Sequence, residues 1–117
     1  LPGATACIPA IIQSGIACNN FVFEGFLPLK KGRKKKLNDI LKHTQPTIIY
    51  ESPHRILKTL KELYLLSPER KIVVLKELSK LNEKEYRGSL SIIINNIEQS
   101  TIKGEFVIIL DGAKNKK

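Results

Sequence analysis

Apolar residues recur along this chain with two different spacings, and the switches between them predict its elements in order. Residues 4–14 are apolar on most sides of a helix, opened by the Pro2-Gly3 turn and stopped at Gly15, with Pro9 placing a kink or break inside. FVFEGF, residues 21–26, alternates as a strand does and is closed by a turn at Leu27-Pro28. Residues 32–43 return to helical spacing, with Leu37, Ile40 and Leu41 as the inward stripe. Thr47 to Tyr50 is the next strand and Pro53 to Leu66 the next helix. In that helix Ile56, Leu57, Leu60, Leu63 and Tyr64 share one face, while His54, Lys58 and Lys61 share another. Ser52-Pro53 predicts the helix start, because a Ser oxygen caps free amides and Pro is accepted at the first helical position.

SPER, residues 67–70, reads as a turn, and KIVVLKEL, residues 71–78, as a strand covered on both faces. EYRG suggests a short strand. Ser89 caps a helix lined by Leu90, Ile93, Ile94 and Ile97, although the β-branched run 92–94 keeps a strand open as the alternative. EFVIIL, residues 105–110, is the last buried strand, and the basic residues after it fray. Strand and helix alternate about four times. The pattern defines an α/β domain, a sheet of about four to five strands covered by helices.

Composition narrows the setting. The 117 residues hold one domain's worth of core, and 42% of them are hydrophobic. No apolar run approaches the ~18 residues a membrane span needs. The N-terminal stretch lacks the basic region of a signal peptide, and Met is absent throughout, so the sequence reads as a piece of a longer protein. Cys7 and Cys18 read as free thiols in a reducing, cytoplasmic setting. Two Cys and two His with no ligand spacing between them give no reason to expect a metal.

Charge changes the picture more. Twenty Lys plus Arg against eleven Asp plus Glu leave a net charge of +9, which calls for an anionic partner, nucleic acid foremost, unless it records only a Lys-rich composition. Six basic residues in seven, KKGRKKK at 30–36, open an amphipathic helix and supply the cation cluster that phosphate neutralisation requires; a solvated face is the plainer alternative. Arg55 has the fork that holds a phosphate through two parallel bonds. Glu51, at the end of a buried strand beside a helix N-terminus, suits a ligand hydroxyl or a cation, and equally suits the helix dipole alone. Gly104-Glu105-Phe106 opens the last strand, where glycine permits close backbone approach. The charges of residues 76–90 are of the kind that form solvated ion pairs. No Ser-His-Asp order, P-loop or GxGxxG is present.

Several stretches, in order and at sensible spacing, then carry a resemblance: LPG before a small-residue helix, FEGFLPLKKGRKKK, YESPHR, KELSK, EYRGSL and KGEFVIIL. Together they resemble the C-terminal half of the ribosomal RNA branch of the tetrapyrrole methylase superfamily, the small subunit methyltransferase I family. Nearly the whole chain is covered. FEGFLP with KKGR, and YESPHR, are marks of the ribosomal RNA branch; the other stretches are marks of the superfamily. Lys76 and Ser79 stand where the family commonly has Arg and Thr.

The resemblance implies a mixed sheet in the second of two α/β domains, residues 1–113, followed by a basic tail at 114–117. It implies S-adenosyl-L-methionine in the cleft between the domains, held here mainly through backbone groups of Tyr50, Glu51, Glu77, Leu78, Gly104, Glu105 and Phe106. Lys30, Lys31, Arg33, Lys34, Lys35 and Arg55 would face RNA, and Glu51 and Glu85 are the acceptors by residue type for a ribose proton. The implied activity is methylation of a cytidine ribose 2′-oxygen in small-subunit ribosomal RNA, within the 30S subunit, by a homodimer. The superfamily's first domain, with its GDAGTP-like loop, is not among these residues, so this piece alone is expected to be inactive or nearly so. Two rivals stay open: a methylase of a small anionic tetrapyrrole, and a non-catalytic nucleic-acid-binding module.

Overall fold

The computed structural model describes residues 22–77, 83–100 and 104–112. Along them run β1 (Val22–Phe26), α1 (Arg33–Lys42), β2 (Thr47–Glu51), α2 (Ile56–Leu66), β3 (Ile72–Glu77), β4 (Glu83–Gly88), α3 (Leu90–Glu98) and β5 (Glu105–Leu110). The five strands form one sheet in the order β1-β2-β5-β3-β4. β1 and β2 are parallel, joined by the α1 crossover, and the other neighbours are antiparallel, so the sheet is mixed.

All three described helices lie on one face. Leu37 and Ile40 of α1, Ile56, Leu60 and Leu63 of α2, and Leu90, Ile93, Ile94 and Ile97 of α3 pack there on Ile49, Ile72, Val74, Phe106, Ile108 and Leu110. The opposite face carries Ile48, Tyr50, Val73, Leu75, Val107 and Ile109, which are buried as well. Burial on both faces is why β2, β3 and β5 read as largely apolar runs rather than alternating ones. Each large aliphatic side chain so buried contributes about 1.5–3 kcal/mol.

Among the described residues the predicted elements are present, with two local differences. Helix α2 starts at Ile56, not at Pro53. Residues 53–55 form a turn in which the amides of Arg55 and Ile56 both donate to the Ser52 carbonyl, at 3.1 and 3.0 Å, and no side chain caps the helix. Tyr64 is exposed rather than on the buried stripe, and Thr59 is buried in that stripe instead. Residues 92–94 are helical; the Ser89 hydroxyl accepts from the Ile92 amide as predicted. The predicted helix at 4–14, both cysteines, Leu78 and the basic tail lie outside the described residues.

Candidate functional site at one end of the sheet

The register gathers most of the proposed cofactor residues at a single end of three adjacent strands. Tyr50 pairs with Val107 and Glu51 with Phe106 across β2 and β5; Lys76 pairs with Phe106 and Glu77 with Glu105 across β3 and β5. Gly104, at φ +81, turns the chain into β5 immediately before Glu105. Tyr50, Glu51, Glu77, Gly104, Glu105 and Phe106 are therefore neighbours, although they are dispersed over 57 positions' worth of numbering from 50 to 106. Successive residues point to opposite faces. Tyr50 belongs to the core away from the helices, where Phe23 and Phe26 meet its ring edge-on at centroid distances of 5.2 and 5.8 Å. Glu51 turns the other way, under α2.

That Glu51 carboxylate is 4% exposed and committed internally. Its Oε1 accepts from the Ser52 amide at 3.0 Å, and its Oε2 accepts from the Thr59 hydroxyl at 2.6 Å. Thr59 Oγ1 in turn accepts from Arg33 Nη2 at 2.8 Å. Arg33 also forks onto Glu62, with Nη2 to Oε1 at 2.7 Å, and donates Nη1 to the Pro28 carbonyl at 3.0 Å. Arg33 is 5% exposed. It is not the outward cation its place in KKGRKKK suggested, because the buried Thr59 hydroxyl, the half-buried Glu62 carboxylate and the Pro28 carbonyl draw it against α2. Thr59, Glu62 and the Pro28 carbonyl are the members that sequence reasoning missed.

Glu85 lies elsewhere. It pairs in register with Leu75, in the row of Tyr50 and Val107, so it occupies the face opposite the Glu51 carboxylate. It stands three strands from β2, roughly 14 Å at ordinary strand spacing. There it is ion-paired with Arg87 beside a polar groove of about 450 Å³ between β4 and α3. The two carboxylates named as proton acceptors do not converge.

The basic turn sits at the same end of the sheet as the strand ends, since β1 and β2 run parallel and both finish there. Gly32, at φ +78, ends the turn and starts α1. Lys30, Lys31, Lys34 and Lys35 are all exposed, while Lys36 pairs with Glu24 of β1 at 3.0 Å. Arg55 is half-buried; its Nη2 donates to the Leu29 carbonyl at 3.2 Å, and its buried Nε has no hydrogen-bond partner. Two arginines from different helix starts thus hold successive carbonyls, Pro28 and Leu29, of one turn. His54 is exposed, and His43 Nδ1 lies 3.5 Å from the Thr47 hydroxyl. Among the described residues no cluster of His, Cys, Asp or Glu is arranged to hold a metal ion, and no helix is long and apolar enough to cross a membrane.

Comparison with known proteins gives this mixed α/β sheet its family. Residues 1–93 match the tetrapyrrole (corrin/porphyrin) methylases, and the chain belongs to that family. It is 44% identical over 115 residues to ribosomal RNA small subunit methyltransferase I of Synechocystis, covering 97% of this chain and 41% of that protein. The protein of the same name from Bacillus subtilis is 42% identical over 118 residues, covering 100% and 40%. The chain thus spans about two-fifths of the length of the curated relatives it matches. Among solved structures, a cobalt precorrin-4 methyltransferase of cobalamin biosynthesis superimposes with a TM-score of 0.67 at 18% identity, covering 95% of this chain and 50% of that one. A uroporphyrin-III C-methyltransferase from Thermus thermophilus, complexed with S-adenosyl homocysteine, gives 0.53 at 15% identity, covering 86% and 48%. These structures establish the fold.

Proposed function

We propose that residues 1–113 are the C-terminal domain of an S-adenosyl-L-methionine-dependent methyltransferase that acts on the cytidine ribose 2′-oxygen in small-subunit ribosomal RNA. The observation that carries the proposal is the placement of four exposed lysines at the sheet end where β2, β5 and β3 bring their candidate cofactor residues together. Backbone donors and acceptors at three adjacent strand ends, with a glycine at positive φ that admits close approach, suit the hydrogen-bonding groups of a nucleoside-like cofactor. Tyr50, Glu51, Glu77, Gly104, Glu105 and Phe106 would hold it, chiefly by their main chains. When bound, it supplies an electrophilic methyl group on a sulfonium.

The work of this chain is then positioning. Lys30, Lys31, Lys34 and Lys35 neutralise backbone phosphates and hold the RNA in register, and much of the rate comes from fixing both reactants in line. Arg55 steadies the turn through the Leu29 carbonyl. Glu51, with both oxygens engaged, fixes the end of β2 rather than taking the ribose proton. In this reading the parent protein works in the cytoplasm on the 30S subunit, as a homodimer.

The test uses the full-length parent, labelled S-adenosyl-L-methionine and small subunits that lack the modification. Label on one cytidine 2′-oxygen supports the proposal. Cofactor binding with no transfer to RNA points instead to a small-molecule methylase, and RNA binding with no response to cofactor points to a binding module.

A further inference from the structure

The Pro28–Gly32 turn that carries Lys30 and Lys31 has no strand ladder of its own, yet it joins a strand of the sheet to the most basic helix start in the chain. Beside the Arg55 bond to the Leu29 carbonyl, what fixes it is a line of hydrogen bonds with only one possible direction. A guanidinium has no acceptor and an ionised carboxylate no donor, so the Thr59 hydroxyl must receive from Arg33 and give its single proton to Glu51. The observed distances fit this: 2.8 Å from Arg33 Nη2 to Thr59 Oγ1, then 2.6 Å from Thr59 Oγ1 to Glu51 Oε2. Arg33 Nη1 reaches the turn itself at the Pro28 carbonyl, and Glu62 balances the guanidinium from the other side. Thr59 is fully buried, so no water substitutes for its hydroxyl.

We propose that Arg33 and Thr59 are positioning residues: they lock the lysine-bearing turn to the end of β2, so that the surface for RNA phosphates and the candidate cofactor end of the sheet are held as one unit. This rests on the functional reading above for its consequence, though not for its mechanics. β2 is itself held on both sides, by β1 and β5. Breaking the lock therefore loosens the turn, which Arg55 still holds at Leu29, and leaves the strand end in place.

The experiment compares Thr59→Val, which keeps shape and loses the hydroxyl, with Thr59→Ser, which keeps the hydroxyl, in the full-length parent. Amide hydrogen exchange over residues 29–35 reads the lock directly, and steady-state methyl transfer to small subunits reads its consequence. Thr59→Val is expected to speed exchange in the turn about tenfold and to raise the KM for RNA about tenfold, with cofactor affinity within about twofold of the wild type. Thr59→Ser is expected to restore both. Arg33→Lys should behave as Thr59→Val does, since an ammonium cannot reach Pro28, Thr59 and Glu62 at once. Unchanged exchange in Thr59→Val, or equal losses in the Val and Ser variants, overturns the proposal, because packing rather than the hydroxyl would then be responsible. If the wild-type parent transfers no methyl group to RNA, the functional reading fails, and the exchange result still decides whether the lock exists.

Discussion

Arg70 fastens the C-terminal turn of α1 from outside it: Nη2 donates to the Leu41 carbonyl at 2.6 Å, while Nη1 donates to the Asp111 carbonyl at 3.0 Å. A helix leaves its last carbonyls without intrahelical partners, and one guanidinium here satisfies such a group together with the chain leaving β5. Burial pushes the Arg70 pKa below its ordinary value, partly offset by the Asp111 charge, so the geometry holds against a desolvation cost. Arg70→Ala should lower the stability of the parent by about 1–3 kcal/mol, seen as a lower melting temperature. These contacts lie at the opposite end of the sheet from the lysine turn, so salt-dependent RNA binding should not change.

Ser89 makes a smaller contribution of the same kind. Its hydroxyl accepts from the Ile92 amide at 3.4 Å, a long cap bond in an exposed position. Ser89→Ala should therefore cost about 0.5–1 kcal/mol, the low end for such caps. Ser89→Asp should recover the loss, since a carboxylate caps and also complements the helix dipole. Thermal melts of the two variants check both statements.

How much of this was legible follows from which interactions are local. Strands β2, β3 and β5 are visible in sequence because both their faces are buried, and the start of α3 is visible because its cap lies three residues from the amide it serves. The insertion of β5 between β2 and β3 is a long-range pairing that no local pattern encodes. By composition alone Arg33 reads as one more cation of KKGRKKK. Yet it precedes Leu37 by four and Ile40 by seven, which places it on the inward stripe of α1, and Thr59 sits likewise between Ile56 and Leu63. A polar residue at a core position of each of two packed helices was the available signal of a buried pair. Ser52 failed as a helix cap because the helix begins four residues later and its carbonyl, rather than its hydroxyl, takes the free amides.

Two glycines separate backbone strain from steric exclusion. At Gly32 φ is +78 and a Cβ would meet nothing within 4 Å, so Gly32→Ala should cost about 1 kcal/mol through conformation alone. At Gly112 an added Cβ would run into the Thr44 main-chain carbonyl. Gly112→Ala should cost about 1–3 kcal/mol, because backbone must move to make room. Melting the two variants side by side should rank Gly112→Ala as the more damaging.

The lysine turn makes the last prediction, and its signature is a slope rather than an affinity. Each phosphate neutralised releases condensed counterion, so log K falls with log salt by about 0.7–0.9 per contact. Lys34→Ala with Lys35→Ala should flatten that dependence for RNA binding by the parent by roughly 1.5, and should weaken all sequences alike, since phosphate contacts carry no base information. Lys61 offers the control: it is exposed and paired with Glu98 at 3.1 Å across α2 and α3, away from the turn. Lys61→Ala removes half as much charge from the protein and should leave the slope unchanged. Equal flattening in the two cases would mean that net charge, not this turn, draws the RNA.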